Sequence, residues 1–298
     1  MRIAITGASG LIGSHLLPTL SAQGDEVTRL VRHPAESGEV SWNPQQESLD
    51  LSALDGFDGV IHLAGENIAS SRWTTSMKGR IRESRVRGTH AISSGLARLA
   101  TPPKVLIAAS AIGYYGNRGA ELLDEQATPG EDFLAKVVYD WEQATEPAAN
   151  AGIRVVRLRI GVVLSPAGGA LAKMLTPFQL GAGGRVGNGR QYWSWIAIDD
   201  VIGVIRYALS HQALTGPINA VTPTAITNAQ FTQTLGRVLH RPTFLPMPAT
   251  AARIVLGEMA DALLLSSTRV VPKQLLDSGY SYQYPELESA LRHLLNRE

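Results

Sequence analysis

The chain has 298 residues, 44% of them hydrophobic and 18% charged, a composition that folds around a core and excludes extended disorder. Lys and Arg number 27 against 26 Asp and Glu, so a formal charge of +1 supplies no long-range pull toward nucleic acid or a membrane, and neither is expected as a partner. The absence of cysteine excludes disulfides, thiolate nucleophiles and Cys-ligated metal centres, and no apolar run reaches the roughly 18 residues of a membrane span.

The amino terminus enters a short apolar strand at Ile3 to Thr6 with none of the regions of a signal peptide, so the expected compartment is the cytoplasm. An amphipathic helix from Leu11 to Ser21 and a second strand from Glu26 to Arg32 follow, the βα alternation of a buried parallel sheet. Residues 33–57 are less regular, with a strand near Val40 to Trp42. Gly59 to Gly65 reads as a strand ending in a glycine loop, 76–99 as a long helix, and Lys104 to Ser110 as the next buried strand. The glycine-rich, acidic stretch 111–131 reads as surface loop. A helix over 133–149, its end blurred by Pro147, leads to a strand at Ile153 to Arg159.

After Gly161 the glycines multiply around one short helix at Leu171 to Leu180, the texture of a pocket wall or lid. Asp199 and Asp200, within the apolar segment Trp195 to Ser210, suit the first turn of a helix. Thr227 or Asn228 caps a helix over 229–239, Pro242, Pro246 and Pro248 bound an extended piece, and 250–265 and 285–295 read as helical. The expected fold is α/β: a Rossmann-like doubly wound parallel sheet over 1–220, a smaller discontinuous substrate lobe inserted at about 162–195, and a small helical carboxy-terminal lobe over 221–298.

Thr6-Gly7-Ala8-Ser9-Gly10-Leu11-Ile12-Gly13 places glycines first, fourth and seventh between a strand and a helix. The first permits the turn, the second lets backbone approach a pyrophosphate, and the third lets helix and sheet pack closely, with the helix amino terminus facing the anion. A purely structural turn would use glycine too; the strand context and the following βα unit favour dinucleotide binding. The second strand ends Leu30-Val31-Arg32-His33, without the carboxylate that would hold ribose hydroxyls and repel a 2′-phosphate. Arg32 can bond that phosphate bidentately, so NADP is the expected cofactor, the alternative being a solvated surface arginine. Leu63, Ala64 and Gly65 end the next strand beneath the cofactor, and Ser110 ends the following one at the level expected for the nicotinamide; each could also be a plain strand terminus.

These landmarks, with Arg85-Val86-Arg87-Gly88-Thr89 and Trp195 to Val201, resemble the extended short-chain dehydrogenase/reductase superfamily. Ala64 to Ile68, Arg72-Trp73, Ser110 to Gly116, Trp141-Glu142, Gly161 to Leu164, Pro177-Phe178 and Gly187 to Gln191 more closely resemble its atypical epimerase branch, sometimes called SulA-like or YfcH-like. Gly279-Tyr280 to Leu287 is similar to that branch's small carboxy-terminal domain, here about 248–295. The resemblance implies an NADP-binding Rossmann domain, with Val162 joining the cofactor residues, and a substrate lobe; it implies no particular reaction.

In the superfamily it resembles, proton transfer uses a Tyr and a Lys four apart on one helix face. Aligning the helix by Glu142 puts Leu134 and Val138 at those places, and neither can move a proton. Ser110 and Tyr114 are the remaining catalytic candidates, with Tyr139 and Lys136 in reversed order nearby. Arg85 stands where the superfamily has Asn; it reaches the cofactor or an anionic ligand, or else pairs with Glu83. Glu66, Tyr115, Arg159 and Trp195 are candidates for contact with an unidentified small polar substrate, Trp195 being equally an anchor for the lobe. Seven scattered histidines lack metal-ligand spacing, so no metal is expected, and His62 reads as a hydrogen-bonded core group. Two functions stay open: a redox or epimerising enzyme, and a cofactor-dependent sensor or interaction protein. A homodimer through the helices at 76–99 and 133–149 is an open expectation.

Overall fold

The computed structural model describes residues 1–44 and 51–297, so part of the irregular stretch expected at 33–57 lies outside the described residues. The first half alternates β1 (Arg2–Thr6), α1 (Leu11–Ala22), β2 (Glu26–Val31), β3 (Glu39–Ser41), β4 (Gly59–His62), α2 (Thr75–Leu96) and β5 (Val105–Ala111). A short β6 (Leu122–Leu123), α3 (Phe133–Gln143), α4 (Glu146–Asn150) and β7 (Arg154–Ile160) follow. The helix read at 133–149 is therefore two, because Pro147 sits in the first turn of α4, the one place in a helix where its missing N–H costs nothing.

Beyond Gly161 come β8 (Val162–Ser165), α5 (Gly169–Gln179), β9 (Tyr192–Trp193), β10 (Trp195–Ala197), α6 (Ile198–Ser210) and β11 (Gly216–Ala220). The remainder is β12 (Ile226–Thr227), α7 (Asn228–Leu239), α8 (Ala249–Leu256), α9 (Glu258–Ala260), a wide π-type turn at Asp261–Leu265, β13 (Arg269–Val270), α10 (Lys273–Asp277) and α11 (Leu287–Leu294). Gly257, at φ 62°, interrupts what the periodicity predicts as one helix over 250–265. Thr227 caps α7 through a reciprocal box with Gln230.

Among the described residues seven parallel strands form the main sheet in the order β11-β7-β5-β4-β1-β2-β3. The order reverses at β1, so the crevice past the carboxyl ends of β1 and β4 is the topological switch point where such sheets take ligands. Helices cover both faces, which is why Ile3, Ala4, Ile5, Val60, Ile61 and Val105 to Ala108 are all buried and the strands show no polar alternation. One buried cluster runs from Ile3 through Trp195 and Phe231 to Leu294, so the sheet and the carboxy-terminal helices share a core. Asp200, in the first turn of α6, does more than suit the helix dipole: its buried carboxylate accepts from the backbone N–H groups of Gln283 and Tyr284 and ties the last segment to the sheet. No helix among the described residues is long and apolar enough to cross a membrane.

Candidate cofactor and active site

The glycine turn is built for close approach. Gly7 has φ 70°, and a Cβ there would stand 2.8 Å from the backbone of Leu63 and Ala64. A Cβ on Gly13 would lie 2.7 Å from Ala8 Cα and overlap the Gly7 carbonyl oxygen. Gly10 is the N-cap of α1, donates to Gly7 O at 3.0 Å, and has no side chain to satisfy the first amides of the helix. α2, α3 and α7 are capped by Thr74, Asp132 and Thr227, whereas α1 shares with α5, α6, α8 and α11 the lack of a side-chain cap; what sets α1 apart is the close-packed glycine turn before it. With Ser9 and Gly10 exposed and Leu11 and Ile12 half-buried, the α1 amides open onto the switch-point crevice as an anion site.

Thr6 is buried beneath this turn and acts on the chain itself. Its hydroxyl accepts from the amides of Leu63 (3.1 Å) and Ala64 (3.2 Å) and lies 2.7 Å from His62 Nδ1, locking the ends of β1 and β4 together. With both amides donating to it, the hydroxyl gives its proton to Nδ1, which places the imidazole hydrogen on Nε2. Burial lowers the His62 pKa to about 4, so the ring is neutral, as expected for a core histidine.

Arg32 follows β2, exposed, with no carboxylate partner among the described residues, whereas Arg29 and His33 turn toward Glu39. Arg85, on α2, does not pair with Glu83. Its guanidinium lies over the Trp141 ring at 5.1 Å, donates to Ile81 O at 3.2 Å, and flanks Gly65. Burial lowers its pKa to about 10, opposed by the charge of Glu66. Glu66 itself is half-buried, its amide held by Ser84 Oγ at 3.1 Å.

Ser110 and Tyr114 sit on a buried polar network that the sequence did not disclose. Arg159 on β7 bonds both oxygens of Glu142 on α3 at 2.8 Å, and Ser110 Oγ donates to Glu142 Oε1 at 2.6 Å. Arg159 also donates to Tyr115 OH (3.0 Å), which donates to Asn219 Oδ1 (2.7 Å). Burial pulls the guanidinium down, but the bonds and charge of Glu142 raise it overall; burial pushes the Tyr115 phenol up to about 12, against the pull of Arg159. Tyr114 lays its ring 3.5 Å from the Arg159 guanidinium carbon and edge-on to Tyr115, and its hydroxyl has no partner among the described residues. Because Ser110 gives its proton to Glu142, its oxygen faces any ligand as an acceptor. Leu134 and Val138 pack on Gly113 in the same loop.

Of the residues expected at the substrate, Tyr115, Arg159 and Trp195 are placed in the core, 0%, 3% and 1% exposed, leaving Glu66 the more open. Trp195 pairs with Val162 in the β10–β8 ladder, and its buried indole N–H has no partner among the described residues. Val162 is half-buried just past β7. A separate cavity of about 470 Å³ opens between Gly119-Ala120, Gly187 to Tyr192 and α8, and none of the expected site residues lines it. Glu142, Asn219 and Glu125, whose carbonyl accepts from Arg159 and whose carboxylate accepts from the Asn219 amide, were missed by sequence reasoning; the signal available was two arginines, 157 and 159, alternating on a buried strand and needing counter-charges.

Known proteins match this chain along nearly its whole length. An epimerase family protein of Mycobacterium bovis is 43% identical over 296 residues, covering 99% of this chain and 98% of its own. The crystal structure of the human epimerase family protein SDR39U1 with NADPH superposes with a TM-score of 0.92 at 35% identity, covering 99% of each chain. That of the nucleoside-diphosphate sugar epimerase from Corynebacterium glutamicum gives a TM-score of 0.83 at 37% identity, over all of this chain and 59% of that one. A domain of unknown function, DUF1731, matches residues 247–294. Residues 3–220 match the NAD dependent epimerase/dehydratase family, and the chain belongs to it.

Proposed function

We propose that this protein binds NADP(H) in the crevice at the carboxyl ends of β1 and β4 and works as an oxidoreductase or epimerase on a small polar substrate. The observation that carries the reading is the uncapped amino terminus of α1 over a turn in which Gly7 and Gly13 leave no room for a Cβ. The human relative solved with NADPH supports it. The α1 amides would hold the pyrophosphate, Arg32 the 2′-phosphate, and Leu63 to Gly65 the path beneath the nucleotide, with Arg85 beside Gly65 and Val162 past β7 as further cofactor contacts. The bound nicotinamide supplies or accepts the hydride.

Calorimetric titration should show tighter binding of NADPH than of NADH, and Arg32→Ser should weaken NADPH roughly tenfold or more, the size of a lost charge-assisted hydrogen bond, with NADH unchanged. Equal affinities in the unsubstituted protein would refute the NADP preference.

Among this chain's own residues, Tyr114 is the proton donor and acceptor we assign, because its hydroxyl is unpartnered and its ring is fixed on Arg159. Ser110 would accept a hydrogen bond from the substrate or from the cofactor carboxamide. Tyr114→Phe should lower kcat by about 10²-fold or more while the dissociation constant for NADPH holds, followed by nicotinamide absorbance across carbonyl, alcohol and sugar-nucleotide substrates. An unchanged kcat would remove Tyr114 from the chemistry.

A second reading, a cofactor-holding sensor, is favoured by the apolar Leu134 and Val138 where the proton-transfer pair would stand and by the engagement of Ser110 with Glu142. Full cellular function of both Ser110→Ala and Tyr114→Phe, with NADPH still bound, would select it. The cytoplasm and a homodimer belong to this proposal as its setting.

A further inference from the structure

Residues 161–257 carry seven Lys and Arg but two Asp and Glu, a net charge of +5 concealed in the whole-chain balance of +1. Both acids are turned inward or paired: Asp200 is buried, and Asp199 stands 3.4 Å from His293. Arg237 and Arg253 pair with Glu288 and Asp261. Lys173, Arg185, Arg190 and Arg241 are exposed and have no carboxylate partner among the described residues.

The same stretch holds six of the ten exposed large apolar side chains found among the described residues: Leu180, Phe244, Leu245, Met247, Ile254 and Val255. Backbone pairing brings them together. Gly184 bridges to Phe244 and Val186 to Met247, and Met247 N donates to Arg185 O at 2.9 Å. Arg241 Nε donates to Gln179 O at 2.8 Å, beside Leu180. Phe244 is 75% exposed and Leu180 79%, flanked by Arg185 and Arg241, and α8 carries Ile254 and Val255 outward a few residues later.

An apolar cluster of this kind marks a surface that something covers. Two copies of the chain meeting through it would bring unpaired cations face to face, which disfavours self-association. An anionic bilayer surface matches both features, since the apolar side chains enter the acyl boundary while guanidinium and ammonium groups meet lipid phosphates. We propose that the face formed by the 180–187 and 241–255 segments docks this protein peripherally on an anionic membrane surface. The expectation of no membrane partner, drawn from total charge, averaged the +5 of residues 161–257 with a net −4 in the rest of the chain.

The test is co-sedimentation of the full chain, without nicotinamide nucleotide, on phosphatidylglycerol-containing and on pure phosphatidylcholine vesicles. Binding is expected on the anionic vesicles alone and should fall several-fold as salt shortens the screening length. Arg185→Glu should weaken it about tenfold, and Phe244→Ser with Leu245→Ser by a similar factor. These side chains are exposed, so the melting midpoint should hold in each variant. No binding to anionic vesicles, equal binding to both kinds, or unchanged binding in both variants would overturn the proposal. So would a dimer in light scattering that the Phe244 and Leu245 changes dissolve, since a second copy would then be the occupant. Cofactor binding takes no part in the readout, so the two proposals fail separately.

Discussion

Glu142→Ala should lower the free energy of unfolding by about 3–5 kcal/mol, read from urea denaturation, because it leaves the Arg159 guanidinium buried and unpaired. The loss exceeds that of a core cavity of similar size, since Ser110 also loses its acceptor and the Arg159 contacts to Tyr115 and Tyr114 lose their counter-charge. Replacing both charges, Glu142→Met with Arg159→Leu, should recover a substantial part of that stability, because two charges no longer need desolvation. A double variant no more stable than the single one would show that the cost comes from packing. The consequence for function is separable: with Glu142 gone, the Ser110 hydroxyl regains a free proton, so any change in NADPH affinity at preserved fold would report on the polarity of that hydroxyl.

Gly13→Ala should abolish measurable NADPH binding and destabilise the fold by about 1–3 kcal/mol, the range for overpacking a close contact. The added methyl would stand 2.7 Å from Ala8 Cα and against the Gly7 carbonyl oxygen, so α1 must retreat from the turn and carry its open amides away from the ligand. Gly24→Ala is the matched control for backbone substitution: nothing lies within 4 Å of its Cβ, although φ 80° strains it, and it is remote from the switch point. Calorimetry and thermal melting together separate the outcomes. Full NADPH affinity in Gly13→Ala would contradict the placement of the phosphate at α1, whatever happened to stability.

Most of the main sheet was legible because its signals are local. Apolar runs at Ile3 to Thr6, Gly59 to His62 and Val105 to Ser110 occur where strands are buried on both faces, and the glycines at 7, 10 and 13 announce a turn that only small residues fit. Short pieces such as β6 with β13 and β9 with β12 were not legible, since two-residue ladders carry no period and join segments far apart in the chain.

The residues by themselves determined a doubly wound α/β chain with an anion-binding turn and an arginine at the tip of its second strand, because backbone freedom and hydrophobic period are written residue by residue. Tertiary structure alone decided that Ser110 donates to Glu142 and that Arg159 and Tyr115 are interior groups. Partners in those contacts lie between 17 and 104 positions apart, and only the packing of helix α3 on the sheet and the pairing of β11 with β7 within it bring them within hydrogen-bond reach.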